Sequence, residues 1–305
     1  MPKSATLKVA GRDVDVTHLD KVFYPKTGFT KGQMIDYYIK VSPVLLPHLK
    51  GRPLSLKRYP NGVEGFFFYE KQCPAHSPKW IKTIKVPKTD GSVINYCTMG
   101  DLPSLVWVAN LADLELHAFL HRAPALMRPM AIAFDLDPGA PADILSCCQV
   151  GLWLKEIFDQ LGLQSFPKTS GSKGLQIYVP LNTAVTYERT KAFAHAIAEM
   201  LEKRHPNAVI SRMEKRLRKG KVFVDWSQND DKKTTVNVYS LRAKDHPTVS
   251  TPVTWEEVTD ALKKTRPLSF QADEVLKRVE KLGDLFGPVL TLKQKLPPLK
   301  VLNRE

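Results

Sequence analysis

The stretch Pro129-Met130-Ala131-Ile132-Ala133-Phe134-Asp135-Leu136-Asp137-Pro138-Gly139 restricts the fold more than any other part of the chain. Met130, Ile132, Phe134 and Leu136 fall on one parity; Ala131, Ala133, Asp135 and Asp137 fall on the other. In a strand both carboxylates therefore emerge on one face, behind a track of small residues. Close carboxylates repel unless protons or a cation neutralise them. Oxygen ligands of this kind suit Mg²⁺ or Mn²⁺, which keep positions open for substrate phosphates. Two solvated acids at a strand end before a Pro-Gly turn are the competing interpretation, and this motif alone does not choose.

The chain has 305 residues, with 45 Lys and Arg against 31 Asp and Glu, a net charge of +14. That excess implies a polyanionic partner, nucleic acid or acidic membrane. No long apolar run occurs, and Met1-Pro2-Lys3-Ser4-Ala5 lacks the hydrophobic core of a signal peptide. We therefore expect a cytoplasmic protein with no membrane partner. Four cysteines, with Cys147 and Cys148 adjacent, do not read as a disulfide framework and suit a reducing compartment. Cys73, His76 and Cys97 hint at zinc, but a fourth ligand is not evident.

Thr30-Lys31-Gly32-Gln33 has the form of a capping box, and Met34, Tyr38, Val41 and Leu45 stripe the helix that follows, up to Gly51-Arg52-Pro53. Strands are expected at Leu54 to Tyr59, Gly65 to Glu70 and Leu175 to Leu181. Helices are expected from Asp143 to Gly162, from Tyr187 to Arg204, after Thr254, and from Asp273 to Leu282. Val222 to Trp226 and Thr235 to Leu241 read as a strand pair joined by Asn229-Asp230-Asp231-Lys232-Lys233. Strands and helices intermix without a βαβ rhythm, so an α+β or mixed sheet is expected rather than a dinucleotide-binding fold. The tail Lys293 to Lys300 looks like an extended basic arm.

Thr169-Ser170-Gly171-Ser172-Lys173-Gly174 precedes a strand, and its glycines and lysine could cradle a phosphate; an ordinary glycine turn is the plainer alternative. Gln176 faces away from Leu175, Ile177 and Val179, towards whatever the cradle faces or simply towards solvent. Asp225 ends an apolar strand just after the basic run Arg212 to Lys221, and Arg242 ends another. Three carboxylates with Arg and Lys nearby fit two divalent ions and a triphosphate. Phe66, Phe67, Phe68 and Tyr69 follow Lys57 and Arg58, a pairing suited to holding bases, although alternate members of the run belong in a core.

Five segments occur here in order: His18-Leu19-Asp20-Lys21-Val22-Phe23-Tyr24-Pro25, Asp135-Leu136-Asp137-Pro138-Gly139, Ser170-Gly171-Ser172-Lys173-Gly174-Leu175, Lys221 to Asn229, and Tyr239-Ser240-Leu241-Arg242. Together they resemble the polymerase domain of bacterial ATP-dependent DNA ligase D, of the archaeo-eukaryotic primase superfamily. The resemblance covers about residues 15–285 and implies a largely antiparallel, primase-like catalytic sheet flanked by helices. The expected organisation is one primase-polymerase domain over 1–305, in one or two lobes, with a basic arm at 286–305.

The resemblance also implies a DNA-directed DNA/RNA polymerase that extends primers at gaps and double-strand breaks in non-homologous end joining. Mn²⁺ or Mg²⁺, as two ions, would be held by Asp135, Asp137 and Asp225. Ser170, Lys173, Gln176, His117, Arg242, Gln228 and Arg218 would meet the nucleoside triphosphate. Phe68 and Tyr69 would stack on a base, and Lys21 and Lys31 would hold the 5′-phosphate of a downstream strand. Implied partners are 5′-phosphorylated DNA, nucleoside triphosphates, Ku and a DNA ligase, at the nucleoid.

Two positions depart from the family pattern: Gln176 where His is usual, and His18 in place of Asn. Gln can donate a neutral hydrogen bond but carries no proton or charge. No ligase or nuclease motif accompanies these residues, so the chain reads as either a stand-alone enzyme or one domain of a longer protein. The rival readings are a Mn²⁺-dependent glycosyltransferase, which leaves +14 and Asp225 unexplained, and a non-catalytic DNA end-bridging module.

Overall fold

The computed structural model describes residues 4–301; residues 1–3 and the last four of the basic tail lie outside the described residues. The chain divides into two compact units. One comprises 1–124, 234–250 and 270–284, the other 125–233, 251–269 and 285–305. The architecture is α+β, with largely antiparallel sheets and flanking helices.

The second unit is built on five strands in the order Phe166–Thr169, Leu175–Pro180, Ala131–Pro138, Val222–Asp225 and Val209–Ile210. All pairs are antiparallel except the last. The acid-bearing strand Ala131–Pro138 is central, so its Ile132, Phe134 and Leu136 are fully buried. Helix Ile144–Gln160 covers that apolar face; its Phe158 ring lies 5.4 Å from Phe134. Asp143 caps this helix by accepting from the backbone N–H groups of Leu145 and Ser146. Helix Tyr187–Arg204 packs against the central strand and the turn after Asp225. Of the basic tail, Gln294 is held by the carbonyls of Gln164 and Pro180.

The first unit carries a four-stranded antiparallel sheet, Thr234–Val236, Asp113–Phe119, Leu54–Arg58 and Phe68–Glu70. Helix Lys31–Leu49 begins with the expected capping box, Thr30 and Gln33 bonding reciprocally. Its buried tyrosines satisfy their hydroxyls on backbone: Tyr38 donates to the Leu114 carbonyl at 2.6 Å and Tyr37 to that of Tyr239 at 2.9 Å.

Three expectations are corrected. Val222–Asp225 and Thr234–Val236 are not a strand pair but belong to different sheets in different units. After Asp225 the chain enters a 3₁₀ turn, and Asn229 ties that turn to the Ala133 backbone in both directions. Beyond Val236 the strand stops short of Leu241, with Tyr239 in left-handed backbone at φ 64°. Gly65 to Phe67 is likewise outside the strand that starts at Phe68.

The third correction concerns cysteine. Cys73 and Cys97 form a disulfide with Cα atoms 4.9 Å apart, whereas Cys147 and Cys148 are free and buried. The hairpin Thr83–Pro87/Val93–Cys97 and a bond from the Cys73 N–H to the Asn95 carbonyl bring these sulfurs together. Sequence spacing carries no trace of that register. His76 packs near Trp107, and the zinc interpretation falls away. Opening a loop of this size, 24 residues in sequence separation, should cost about 3 kcal/mol. Melting with and without reductant should therefore show a lower Tm for the reduced protein, matched by Cys97→Ser. An unmoved Tm would mean the thiols are unpaired in solution.

Candidate active site

In the second unit, strand pairing sets Asp135 directly opposite Asp225 on one side and Gln176 on the other. Cross-strand partners share a face, so these three side chains converge where Asp137 also emerges. Two glycines let the flanking segments close in. A Cβ on Gly174 would fall 2.0 Å from the Leu136 carbonyl oxygen, and one on Gly139 would fall 2.0 Å from that of Arg218. The Ser170–Gly174 loop and the Arg218 segment therefore lie hard against the ends of the acid strand. Within the loop, Ser170 Oγ accepts from the N–H groups of Ser172 and Gly174, while Lys173 is exposed.

Each carboxylate has protein donors. Asp225 accepts from the N–H and hydroxyl of Ser227 at 2.9 and 2.5 Å, and from Gln228 Nε2 at 2.8 Å. Arg218 pairs with Asp137 at 3.2 Å, and its guanidinium lies 3.8 Å over the Phe223 ring. Gln176, 4% exposed, accepts from the fully buried Lys168 Nζ at 2.5 Å and hydrogen-bonds Asp135 with its side chain. Burial first, then the facing Asp225, pushes the Asp135 carboxyl up to about 6; Gln176 and Lys168 hold it back from rising further.

Among the described residues no three His, Cys, Asp or Glu side chains form a metal-binding group. The donor set nevertheless suits a divalent cation. Three carboxylates sharing a face, one of them half-buried and pushed towards protonation by desolvation and then by its neighbour, carry a repulsion that hard cations relieve.

The first unit holds the remaining candidates. His117 Nε2 lies 2.9 Å from Glu115 Oε2, and Arg242 Nε 3.4 Å from Glu115 Oε1. Tyr69 meets His117 edge-on at 5.9 Å. Phe68 and Tyr69 point to opposite sides of their strand. Phe68 packs on Phe66 and under Arg58, whereas Phe67 and Tyr69 share the Lys57 ammonium, at 4.1 and 5.6 Å from the ring centroids. The exposed companion of Tyr69 is thus Phe67.

Lys21 and Lys31 meet in a cavity of about 370 Å³ that is also lined by His18, Arg58, Asn61 and Asn110, with no carboxylate in its lining. Lys31, 5% exposed, donates to the Thr17 carbonyl at 2.7 Å and to Asn110 Oδ1 at 2.8 Å. Burial, then the charges of Lys21 and Arg58, lower its ammonium to about 8. The helix N-terminus contributes less here than a free one would. The N–H groups of Lys31, Gly32 and Gln33 already bond the carbonyls of Lys21 and Leu19 and the Thr30 hydroxyl. What faces the cavity is side-chain charge. His18, at φ 54°, adopts the left-handed backbone that Asn tolerates best.

Buried Glu115 and Lys168 were not among the residues singled out from the sequence. Glu115 shares parity with His117, a signal that was available; nothing local marks Lys168.

Three carboxylates on one face of a largely antiparallel sheet, with a glycine cradle closing on the acid strand, suit the binding of metal-bound phosphates. Residues 30–286 match the family described as LigD, primase-polymerase domain. The chain is 41% identical over 282 residues to the multifunctional non-homologous end joining protein LigD of Mycolicibacterium smegmatis, covering 90% of this chain and 36% of that protein. It is 35% identical over 271 residues to the bifunctional LigD of Bacillus subtilis, covering 88% of this chain and 43% of that protein. It thus spans well under half the length of these curated relatives. The solved polymerase domain from Mycobacterium tuberculosis ligase D in complex with DNA superposes with a TM-score of 0.86 at 38% identity, covering 92% of this chain and 99% of that one. The chain belongs to the family of LigD primase-polymerase domains. No helix among the described residues is long and apolar enough to cross a membrane.

Proposed function

We propose that this chain is a template-dependent DNA-repair polymerase that extends a primer strand at gaps and double-strand breaks, joining a 3′-hydroxyl to the α-phosphate of a nucleoside triphosphate as the α–β phosphoanhydride bond breaks and pyrophosphate leaves. The observation that carries this reading is the register that sets Asp135 against Asp225 and Gln176, in a chain of this family. Asp135, Asp137 and Asp225 would hold two Mn²⁺ or Mg²⁺ ions. When bound, such ions would offset triphosphate charge and favour ionisation of the attacking hydroxyl. Ser170 shapes the phosphate loop and Lys173 supplies it with a mobile cation. Arg218 and Gln228, which bond Asp137 and Asp225, orient those carboxylates and lie ready to take up phosphate charge. His117 and Arg242 meet the nucleotide, and Tyr69, with Phe67 or Phe68, stacks on a base. Lys21 and Lys31 receive the 5′-phosphate of the downstream strand. Ku and a DNA ligase are the implied partners, since the relatives carry end joining in their names.

The test is to incubate the protein with a 5′-phosphorylated gapped duplex, Mn²⁺ and each nucleotide, and look for extension. Binding without extension would instead support an end-bridging module, a reading favoured by one observation: all three carboxylates already have protein donors. Family membership gives a glycosyltransferase no support.

Gln176 links Lys168 to Asp135, and its amide can also donate to a phosphate oxygen. Gln176→Ala removes both the acceptor for Lys168 and the donor to Asp135. It should raise the apparent nucleotide KM and lower kcat, for a loss in kcat/KM of about tenfold, the worth of one hydrogen bond to a charged group. Gln176→His should be tolerated or activating. Steady-state kinetics of both variants decide the matter; an unchanged Gln176→Ala protein would remove this residue from the site.

A further inference from the structure

We propose that Glu115 is a positioning residue, whose carboxylate holds the His117 ring and the Arg242 guanidinium where a nucleoside triphosphate meets them. This rests on the reading above that His117 and Arg242 contact the nucleotide. Glu115 is 2% exposed and lies two residues before His117 on strand Asp113–Phe119, so both side chains share a face. One carboxylate oxygen bonds the His117 ring at 2.9 Å; the other accepts from the Ala243 N–H at 3.0 Å and lies 3.4 Å from Arg242 Nε. Both oxygens are therefore engaged, and in different directions. A buried carboxylate is costly unless paired in this way.

The surroundings point to an anionic ligand. Lys57 stands opposite Glu115 in the strand register, with its ammonium under the exposed Phe67 and Tyr69 rings. Glu115 acts electrostatically on His117, Lys57, Tyr59, Tyr69, Tyr24 and Tyr38 and is itself held by Arg242, while Lys244 acts on Lys57. Arg242, Lys57 and Lys244 around one buried carboxylate leave positive charge for a phosphate, next to aromatic faces that accept a base. The ring nitrogen bound to Glu115 is Nε2, which leaves Nδ1 as the one to meet substrate. Burial lowers the pKa of His117, and Glu115 opposes that shift.

Glu115→Gln keeps the volume and removes the charge. The expected result is a nucleotide KM raised about tenfold, kcat changed less than threefold, and a lower NMR titration midpoint for His117. Combined with His117→Asn, it should cost less than the two single effects added together, since part of its role runs through that ring and the rest through Arg242. Glu115→Asp, which keeps the charge on a shorter stem, should retain part of the affinity and supplies the same readouts if Glu115→Gln folds poorly. An unmoved KM and an unmoved His117 titration in these variants, while His117→Asn and Arg242→Gln each raise KM, would overturn the role of Glu115 alone. If His117→Asn and Arg242→Gln also leave KM unchanged, the nucleotide reading of this cluster falls, and the role of Glu115 with it.

Discussion

Primer extension by Asp225→Asn, Asp135→Asn or Asp137→Asn protein is expected to fall by two orders of magnitude or more, about 3 kcal/mol of lost transition-state stabilisation. The substitution removes a negative charge with little change in volume, where three carboxylates share one face. Binding of DNA should change little, because the excess of Lys and Arg elsewhere supplies it. Asp225→Asn carries a second effect. Its new amide would face the Ser227 and Gln228 donors that the carboxylate now satisfies. Asp137, whose partner is the Arg218 guanidinium, therefore gives the cleaner comparison. Near-normal extension by the Asp137→Asn protein would take that residue out of the metal site, and likewise for the others.

Loss of end recognition should be comparably large when both pocket lysines are removed. The wild-type protein should prefer a gapped duplex bearing a 5′-phosphate to one bearing a 5′-hydroxyl. Two charge-assisted contacts to a phosphate are together worth about 3 kcal/mol or more. Lys21→Ala/Lys31→Ala should therefore erase a preference of about a hundredfold. Nonspecific lysines would instead weaken both duplexes equally and reduce the salt slope by about one unit each.

Lys31 adds a pH signature. Its folded pKa is depressed to about 8 by burial and by the Lys21 and Arg58 charges, so in the free protein the ammonium is present below that pH and lost above it. The 5′-phosphate itself keeps both charges from neutral pH upwards. The preference should thus be full near pH 7 and shrink by pH 9.5 at constant ionic strength, and Lys31→Arg should flatten the profile. Equal affinity of the unmutated protein for the two ends at pH 7 would sink the pocket.

Helix starts were legible because their cause is local. Thr30, Asp143 and Thr254 each satisfy N–H groups two or three residues away, so four consecutive residues already contain the signal. The common face of Asp135 and Asp137 was legible for a similar reason, since alternation is a property of any strand. The order of strands was not. That Asp135 lies opposite Asp225, 90 residues on, depends on which apolar faces bury best together, and no short segment encodes it.

Buried charge was the least legible feature. Glu115 and Lys168 look like ordinary solvated residues in the chain, because charged side chains belong outside unless paired. Their partners, Arg242 for one and Gln176 for the other, arrive only when strands assemble. The Cys73–Cys97 pair and the end of the strand at Val236 have the same origin in long-range register. Motifs, caps and face parity are thus written into neighbouring residues, where a single turn or a pleat suffices to express them. The convergence of acids in one unit, and of cations around Glu115 and Lys31 in the other, appears only when pairing across tens of residues buries apolar surface and carries polar groups in with it.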